Sequence, residues 1–161
     1  MPWLHRIDRA IEAVIGVMQW LGLPLVALLF LQWPLRDLLR AYSREANDLA
    51  QCIFALYVAA SMTAATRAGT HLAADLIAQH YSARTRDILA RIAAVIGLLP
   101  WALFLLISSR NIVIESVLQR EAFADSDNPG YFLIKLALWL LALLVLAQGI
   151  VTLLRPRSGV P

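Results

Sequence analysis

Four long stretches without a charged side chain constrain this sequence more than any other feature. They are the runs 13–35, 49–66, 92–109 and 136–154. An α-helix rises about 1.5 Å per residue, so roughly 20 residues cross a hydrocarbon core about 30 Å thick. The first and fourth runs are long enough, and the two shorter ones can be extended by flanking arginines that reach the membrane surface. The sequence therefore predicts an all-α polytopic membrane protein with four transmembrane helices.

The composition favours lipid over water as the solvent of these helices. Hydrophobic residues make up 60% of the chain and charged residues 16%, which is more apolar than an ordinary soluble domain. A small soluble bundle would also show polar stripes at helical spacing, whereas these runs are uniformly apolar. The net charge of +3 does not indicate nucleic-acid binding, because the basic residues occur in short stretches that flank the runs.

The chain is expected to form a single membrane domain over residues 1–161. Arg6 and Arg9 precede the first run as they would in a secretory signal, but the run is too long and lacks a typical cleavage site, so we predict a retained span. Cys52 is the only cysteine and lies within the second run, which excludes an intrachain disulfide and a cysteine metal cluster.

Two amphipathic stretches outside the runs predict short interfacial helices. The first stretch has apolar residues on one helical face ahead of the first run, namely Trp3, Leu4, Ile7 and Ile11. The second, in the loop after the second run, has Leu72, Ala73, Leu76 and Ile77 at the same spacing.

Several local signals predict where helices bend, begin and end. Pro24 and Pro100 can kink the first and third spans. Ser82 is a candidate N-cap for a helix that enters the third span. The third helix is expected to continue to Leu118 because its apolar stripe persists past Arg110. The sequence 128–130, Asn-Pro-Gly, predicts a turn just before the fourth span.

The distribution of basic residues predicts the orientation. Four spans place both termini on one side, together with the second loop, and that side holds Arg6, Arg9, Arg67, Arg84, Arg86, Arg91, Arg155 and Arg157. The other side holds Arg36, Arg40, Arg44, Arg110, Arg120 and Lys135. The positive-inside rule therefore favours cytoplasmic termini by a narrow margin.

The uncharged runs also bear on function, because a proton or ion path through a membrane needs ionisable groups inside the spans. The polar residues within the runs are neutral: Gln19, Gln32, Gln51, Ser61, Thr63, Thr66, Ser108, Ser109, Gln148 and Thr152. We interpret them as hydrogen-bonding groups that hold helices together. His5, His71 and His80 all lie outside the runs, so the paired imidazoles of a haem anchor are missing. We expect no catalytic residue, no cofactor and no metal site.

The most informative local pattern follows the second run and reads Arg67-x-Gly69-x-His71-x-x-x-Asp75. Gly69 permits a sharp turn out of the membrane, and Arg67 can reach lipid phosphates or helix-end carbonyls. Asp75 can pair with His71 or Arg67. A membrane-exit turn without a binding role explains the same pattern, because every buried helix end needs such partners.

A family resemblance rests on this pattern together with the order of the four spans. Asp127-Asn128-Pro129-Gly130 stands before the fourth span, and Gln148-Gly149 lies near the end of that span. With these features the chain resembles the small permease subunit of tripartite ATP-independent periplasmic (TRAP) transporters, the DctQ-like family. The similarity covers nearly the whole chain, although Leu72-Ala73-Ala74 stands where the family often has a bulky apolar or basic residue.

The resemblance implies an accessory role in a larger assembly. In that family a large membrane subunit holds the substrate and sodium sites, and a soluble periplasmic binding protein delivers organic acids. The chain would then act as a scaffold in the bacterial inner membrane. On the face opposite the termini, we predict a docking rim for the binding protein, formed by Arg36, Arg40, Arg44, Glu121, Asp125 and Asp127.

Other classes remain open at this point. A small dimeric exporter would need an acidic residue within the membrane, and a redox anchor would need intramembrane histidine pairs. Neither is present in the runs. A membrane anchor or assembly subunit of an unrelated complex is also compatible with the sequence.

Overall fold

The computed structural model describes residues 2–39, 43–68 and 82–154, and within these ranges the chain is helical and no residue belongs to a β-strand. In chain order the elements are α1 (Pro2–Gln19), α2 (Gly22–Leu39), α3 (Arg44–Ala68), α4 (Ala83–Ala93), a π-helical segment (Ala94–Leu98), α5 (Leu99–Ser108), α6 (Arg110–Leu118) and α7 (Tyr131–Leu154). The predicted all-α class is confirmed.

Four helical segments are long and apolar enough to cross a membrane: Trp3–Leu38, Arg44–Ala68, Ile88–Ser108 and Tyr131–Leu154. Each overlaps one of the uncharged runs, so the predicted number of spans is confirmed. Within the described residues, the longest connection between spans is the loop 119–130 between α6 and α7.

The first span is broken near its middle, where Trp20 and Leu21 separate α1 from α2. Pro24 explains the position of the break. A proline ring clashes with the carbonyl four residues earlier, which here belongs to Trp20. That carbonyl accepts instead from the N–H of Leu23, at 3.2 Å.

The apolar stripe of α1, predicted to lie at the membrane surface, packs largely against protein. Leu4 and Ile11 are buried in a cluster with Leu144 and Val151 of α7. Trp3 points elsewhere and remains 45% exposed. The first turns of α1 are therefore docked on the bundle.

The third span contains the second proline-associated irregularity. The π-helical segment ends just before Pro100, and the N–H of Leu99 reaches back five residues to the carbonyl of Ala94. Such a π-bulge accommodates a proline because it changes the hydrogen-bonding register of the preceding turn. The helix then continues past Ser109 as α6 and ends at Leu118, as predicted.

Local signals at two further helix boundaries are also confirmed. Ser82 caps α4, since its hydroxyl accepts from the N–H of Thr85 at 3.2 Å. The predicted turn at 128–130 immediately precedes α7. The predicted amphipathic piece with Leu72, Ala73, Leu76 and Ile77 lies outside the described residues.

Helix α7 forms the centre of the bundle and contacts both α3 and α5. Small residues permit this close packing, as is common between membrane helices. Ala59 of α3, Ala102 of α5 and Leu141 of α7 share one buried cluster. At Gly149 of α7, a Cβ atom would lie only 2.9 Å from Cδ2 of Leu99.

Candidate functional site

Two groups of polar side chains lie at opposite ends of α3. The first, which we call the Arg67 cluster, consists of Asp8, Glu12, Arg67 and Gln148. The Arg67 guanidinium lies 2.7 Å from the carboxylate oxygens of both Asp8 and Glu12. It also donates to the side-chain oxygen of Gln148 at 3.3 Å. One cation from α3 thus joins α1 to α7.

The Arg67 cluster is partly shielded from water. The side chains of Arg67 and Asp8 are 19% and 22% exposed, whereas that of Glu12 is 62% exposed. Shielding strengthens the attraction between Arg67 and Asp8, whereas the Glu12 carboxylate is more strongly screened by water. The Glu12 contact is also a hydrogen bond from the guanidinium.

The structure gives Arg67 partners that the sequence pattern did not indicate. Gly69, His71 and Asp75, which complete the predicted helix-exit motif, lie outside the described residues. Glu12 precedes Arg67 by 55 residues and Asp8 lies one turn earlier, so no spacing rule connects them. The sequence holds one weak indication of an ion-pair site, because Asp8 and Glu12 are four residues apart and share one helical face.

The second group, the Asp48 cluster, lies near the start of α3 and consists of Asp48, Ser126 and Asn128. Asp48 is only 7% exposed. Its carboxylate accepts from the hydroxyl of Ser126 and, at 3.4 Å, from the side-chain amide of Asn128. This carboxylate fastens the loop 119–130 to α3.

Two further contacts secure the same loop. The guanidinium of Arg44 donates to the carbonyl of Asp125 at 3.0 Å. Phe123 is buried and packs edge-on against Tyr131, with the ring centroids 5.5 Å apart. The loop is therefore a compact, well-contacted element.

The helix α6 enters this loop through a left-handed residue. Arg120 has φ of +48°. The N–H of Glu121 reaches the carbonyl of Ser116 at 3.0 Å, and that of Arg120 reaches Val117 at 3.2 Å. These two bonds define a Schellman C-cap, in which the left-handed position is usually glycine.

Glu121, in the loop 119–130, is half-buried and bound by two neighbouring side chains. Its carboxylate accepts from the ammonium of Lys135 and from the hydroxyl of Ser116. The hydrogen bond from Lys135, followed by that from Ser116, lowers the pKa of Glu121 below its usual value of 4.5. Both interactions favour the ionised carboxylate.

The residues of the predicted docking rim have different environments. Arg36 is exposed and pairs with its neighbour Asp37 at 2.9 Å. Arg44 meets the backbone of Asp125, so α3 and the loop are adjacent there. Asp125 and Asp127 are exposed, whereas Glu121 is engaged by Lys135. Arg40 lies outside the described residues.

Several neutral polar side chains within the spans connect helices or bond to their own backbone. Gln148 links α7 to Arg67, and the indole N–H of Trp139 donates to the hydroxyl of Ser109 at 2.9 Å. The hydroxyls of Thr63 and Thr66 donate to carbonyls four residues earlier. These contacts agree with the structural interpretation of the polar groups.

The separation of the two clusters matches a membrane. Asp48 and Arg67 lie about 19 residues apart on α3, which corresponds to about 28 Å of helix. The hydrocarbon core of a bilayer is about 30 Å thick. The two clusters are therefore spaced along α3 about as far apart as the two surfaces of that core.

Comparison with known proteins adds the family. The model of the family described as tripartite ATP-independent periplasmic transporters, DctQ component, matches residues 25–159. Neither a curated protein nor a solved structure matches this chain. The family match agrees with the four candidate membrane helices, and it makes the protein one component of a three-part transport system. The chain therefore belongs to the DctQ family and is the small membrane component of a TRAP transporter.

Proposed function

We propose that this chain is a scaffold for the large membrane subunit of its transporter and helps to dock the periplasmic substrate-binding protein, in sodium-coupled uptake of organic acids. The chain itself supplies no path for substrate or ion. It belongs to the bacterial inner membrane, with both termini in the cytoplasm, as the narrow excess of basic residues on the terminal side favours.

The observation that supports this role best is the placement of charge. The four runs 13–35, 49–66, 92–109 and 136–154 contain no Asp, Glu, Lys, Arg or His. The charged side chains of the Arg67 cluster bind one another, and Asp48 binds the loop. A coupling ion or a carboxylate substrate needs polar groups along its way, so the path belongs in the partner subunit.

The uneven burial of the helices supports a scaffold role as well. Helix α7 contributes the largest set of buried residues. Among the side chains of helix α2 that the structure describes, in contrast, Leu25 is the one buried core residue. Exposed on that helix are Leu23, Val26, Leu29, Phe30, Leu31, Trp33 and Leu38. An apolar helix face of this kind suits lipid or a helix of the large subunit.

Reconstituted transport tests the accessory role. We expect sodium-driven uptake in proteoliposomes that contain both membrane subunits and receive the binding protein with its ligand. Vesicles with this chain alone, given the same binding protein and gradient, should show no uptake above protein-free vesicles. Substantial uptake by this chain alone would contradict the proposal.

The docking role has a separate test in the rim residues. A binding protein that arrives and leaves repeatedly depends on electrostatic steering, which acts mainly on the association rate. Arg40→Glu combined with Arg44→Glu should slow uptake at limiting binding protein and have less effect when binding protein is in excess. The control is Arg44→Gln. It removes the positive charge that donates to the Asp125 carbonyl, but it does not introduce a negative charge. Normal uptake by the charge-reversed variant at limiting binding protein would show that the rim does not dock the binding protein.

A further inference from the structure

The first turns of α1 have a basic face that the Arg67 cluster does not use. His5, Arg6 and Arg9 share this face, because residues three and four apart in a helix are neighbours. Leu4 and Ile11 lie on the opposite side, in the buried cluster. All three basic side chains are exposed, so this face is open to a ligand.

A cavity opens beside the basic face. Its volume is about 500 Å³, and the described residues that line it are His5, Arg6, Asp8 and Arg9. The cavity is broad and largely open, with room for a polar group of several atoms.

The charge within the cavity is predominantly positive. The carboxylate of Asp8 is 2.7 Å from the guanidinium of Arg67, so a cation outside the cavity balances it. Among the described side chains, no carboxylate forms an ion pair with Arg6 or Arg9. Nε of Arg9 donates to the carbonyl of His5 at 3.4 Å, which leaves the terminal N–H groups of that guanidinium for an anion.

The depth of the cavity follows from the Arg67 cluster. Arg67 lies about 28 Å along α3 from Asp48, at one edge of the expected hydrocarbon core. Asp8 and Glu12 join Arg67 there, so the preceding turn of α1 lies among the lipid headgroups. Trp3, 45% exposed, is a residue type enriched at that level.

We propose that the basic face of α1 binds the phosphate of an anionic phospholipid headgroup, such as that of phosphatidylglycerol. Guanidinium groups bind phosphate through paired N–H donors, and two of them face the cavity. An anionic headgroup carries no cation of its own, so it suits the uncompensated charge of Arg6 and Arg9 better than a zwitterionic headgroup does. The lipid would hold α1 at the membrane surface while Arg67 holds it to the bundle.

Native mass spectrometry of the full chain in detergent micelles tests this site. With equimolar phosphatidylglycerol and phosphatidylcholine, the wild-type chain should retain phosphatidylglycerol preferentially. Arg6→Gln combined with Arg9→Gln should weaken that binding about 30-fold, and each single substitution about 5-fold. The single variants keep the test valid if the double variant folds poorly. The matched control, Arg36→Gln combined with Arg110→Gln, removes two exposed arginines elsewhere and should leave the preference intact.

Three results would overturn the assignment. The first is equal retention of the two lipids by the wild-type chain. The second is unchanged retention of phosphatidylglycerol by the single and double variants at Arg6 and Arg9. The third concerns the source of the phosphate: if millimolar inorganic phosphate displaces the lipid and also raises the thermal midpoint of the lipid-free chain, the site belongs to a free phosphate.

Discussion

The two polar clusters sit at opposite ends of the same helix, yet they stabilise different things. The Arg67 cluster joins three helices through side-chain charges, with α1 and α7 both bound to one guanidinium. The Asp48 cluster joins a helix to a loop, and its buried carboxylate accepts hydrogen bonds from neutral groups. One end of the bundle is therefore held by ion pairs between helices, and the other by an ordered connection. Both attachments are made to α3, one at each end of that helix.

The largest effect is expected at Arg67, because its removal leaves two carboxylates and an amide without their common partner. Breaking a buried ion pair costs about 3–5 kcal/mol. Since this cluster is partly exposed to solvent, we expect Arg67→Ala to lower the free energy of unfolding by about 2–3 kcal/mol. Thermal unfolding in detergent micelles measures the change. Arg36→Ala is the control, because its ion pair is well exposed, and it should cost about 0.5 kcal/mol. Equal midpoints for the two variants would show that the Arg67 cluster is no stronger than a surface pair.

A smaller loss is expected at the other end of α3. Asp48→Ala removes a buried acceptor from Ser126 and Asn128, and we expect it to cost about 1–2 kcal/mol. Limited proteolysis within 119–130 should accelerate, because the loop loses its attachment. Asp125→Ala is the control, since Arg44 binds only the backbone carbonyl of that residue. If Asp125→Ala accelerates cleavage as much as Asp48→Ala does, the buried carboxylate is not what holds the loop.

A gain in stability is expected within the same loop. Arg120 adopts φ of +48° at the Schellman position, where a residue with a Cβ is strained and glycine is not. Arg120→Gly should therefore stabilise the chain by about 0.5–1 kcal/mol. Gln119→Gly, at a neighbouring position with φ of −80°, should destabilise it. A lower thermal midpoint for Arg120→Gly would mean that the arginine side chain makes contacts worth more than the strain.

The smallest effect is a dependence on pH that is confined to the loop end. The native pKa of Glu121 is lowered by Lys135 and Ser116, so its contribution to stability is present at neutral pH. It should be lost as the pH falls below about 4.5 and through the lowered native value. In Glu121→Gln this part of the acid dependence should disappear from the thermal midpoints. An identical pH profile for the variant would show that other carboxylates dominate the acid response.

Much of the fold could be predicted because its signals are local. Uncharged runs determine the four spans, and Ser82 and the turn at 128–130 mark helix boundaries by their own chemistry. Pro24 and Pro100 indicated irregular helices, and the structure places a break at Trp20 and Leu21 and a π-helical segment just before Pro100.

The candidate site could be predicted only in part, because its contacts join residues far apart in the chain. Arg67 was singled out, but its contacts with Asp8, Glu12 and Gln148 depend on how α1 and α7 pack against α3. Nothing in the sequence pairs Asp48 with Ser126, which lies 78 residues further along the chain. Glu121 was assigned to an exposed rim, and the nearby Lys135 that engages it comes from the following helix.

Hydrogen exchange followed by mass spectrometry tests most directly whether the two ends of the bundle are held independently. Amides in the cluster-bearing half of α1 and amides in the loop 119–130 are compared in the wild-type chain, Arg67→Ala and Asp48→Ala. We predict that Arg67→Ala accelerates exchange in α1 and leaves the loop unchanged, and that Asp48→Ala does the reverse. If each variant accelerates exchange equally in both regions, the ends unfold as one unit and the account of two separate attachments on α3 is wrong.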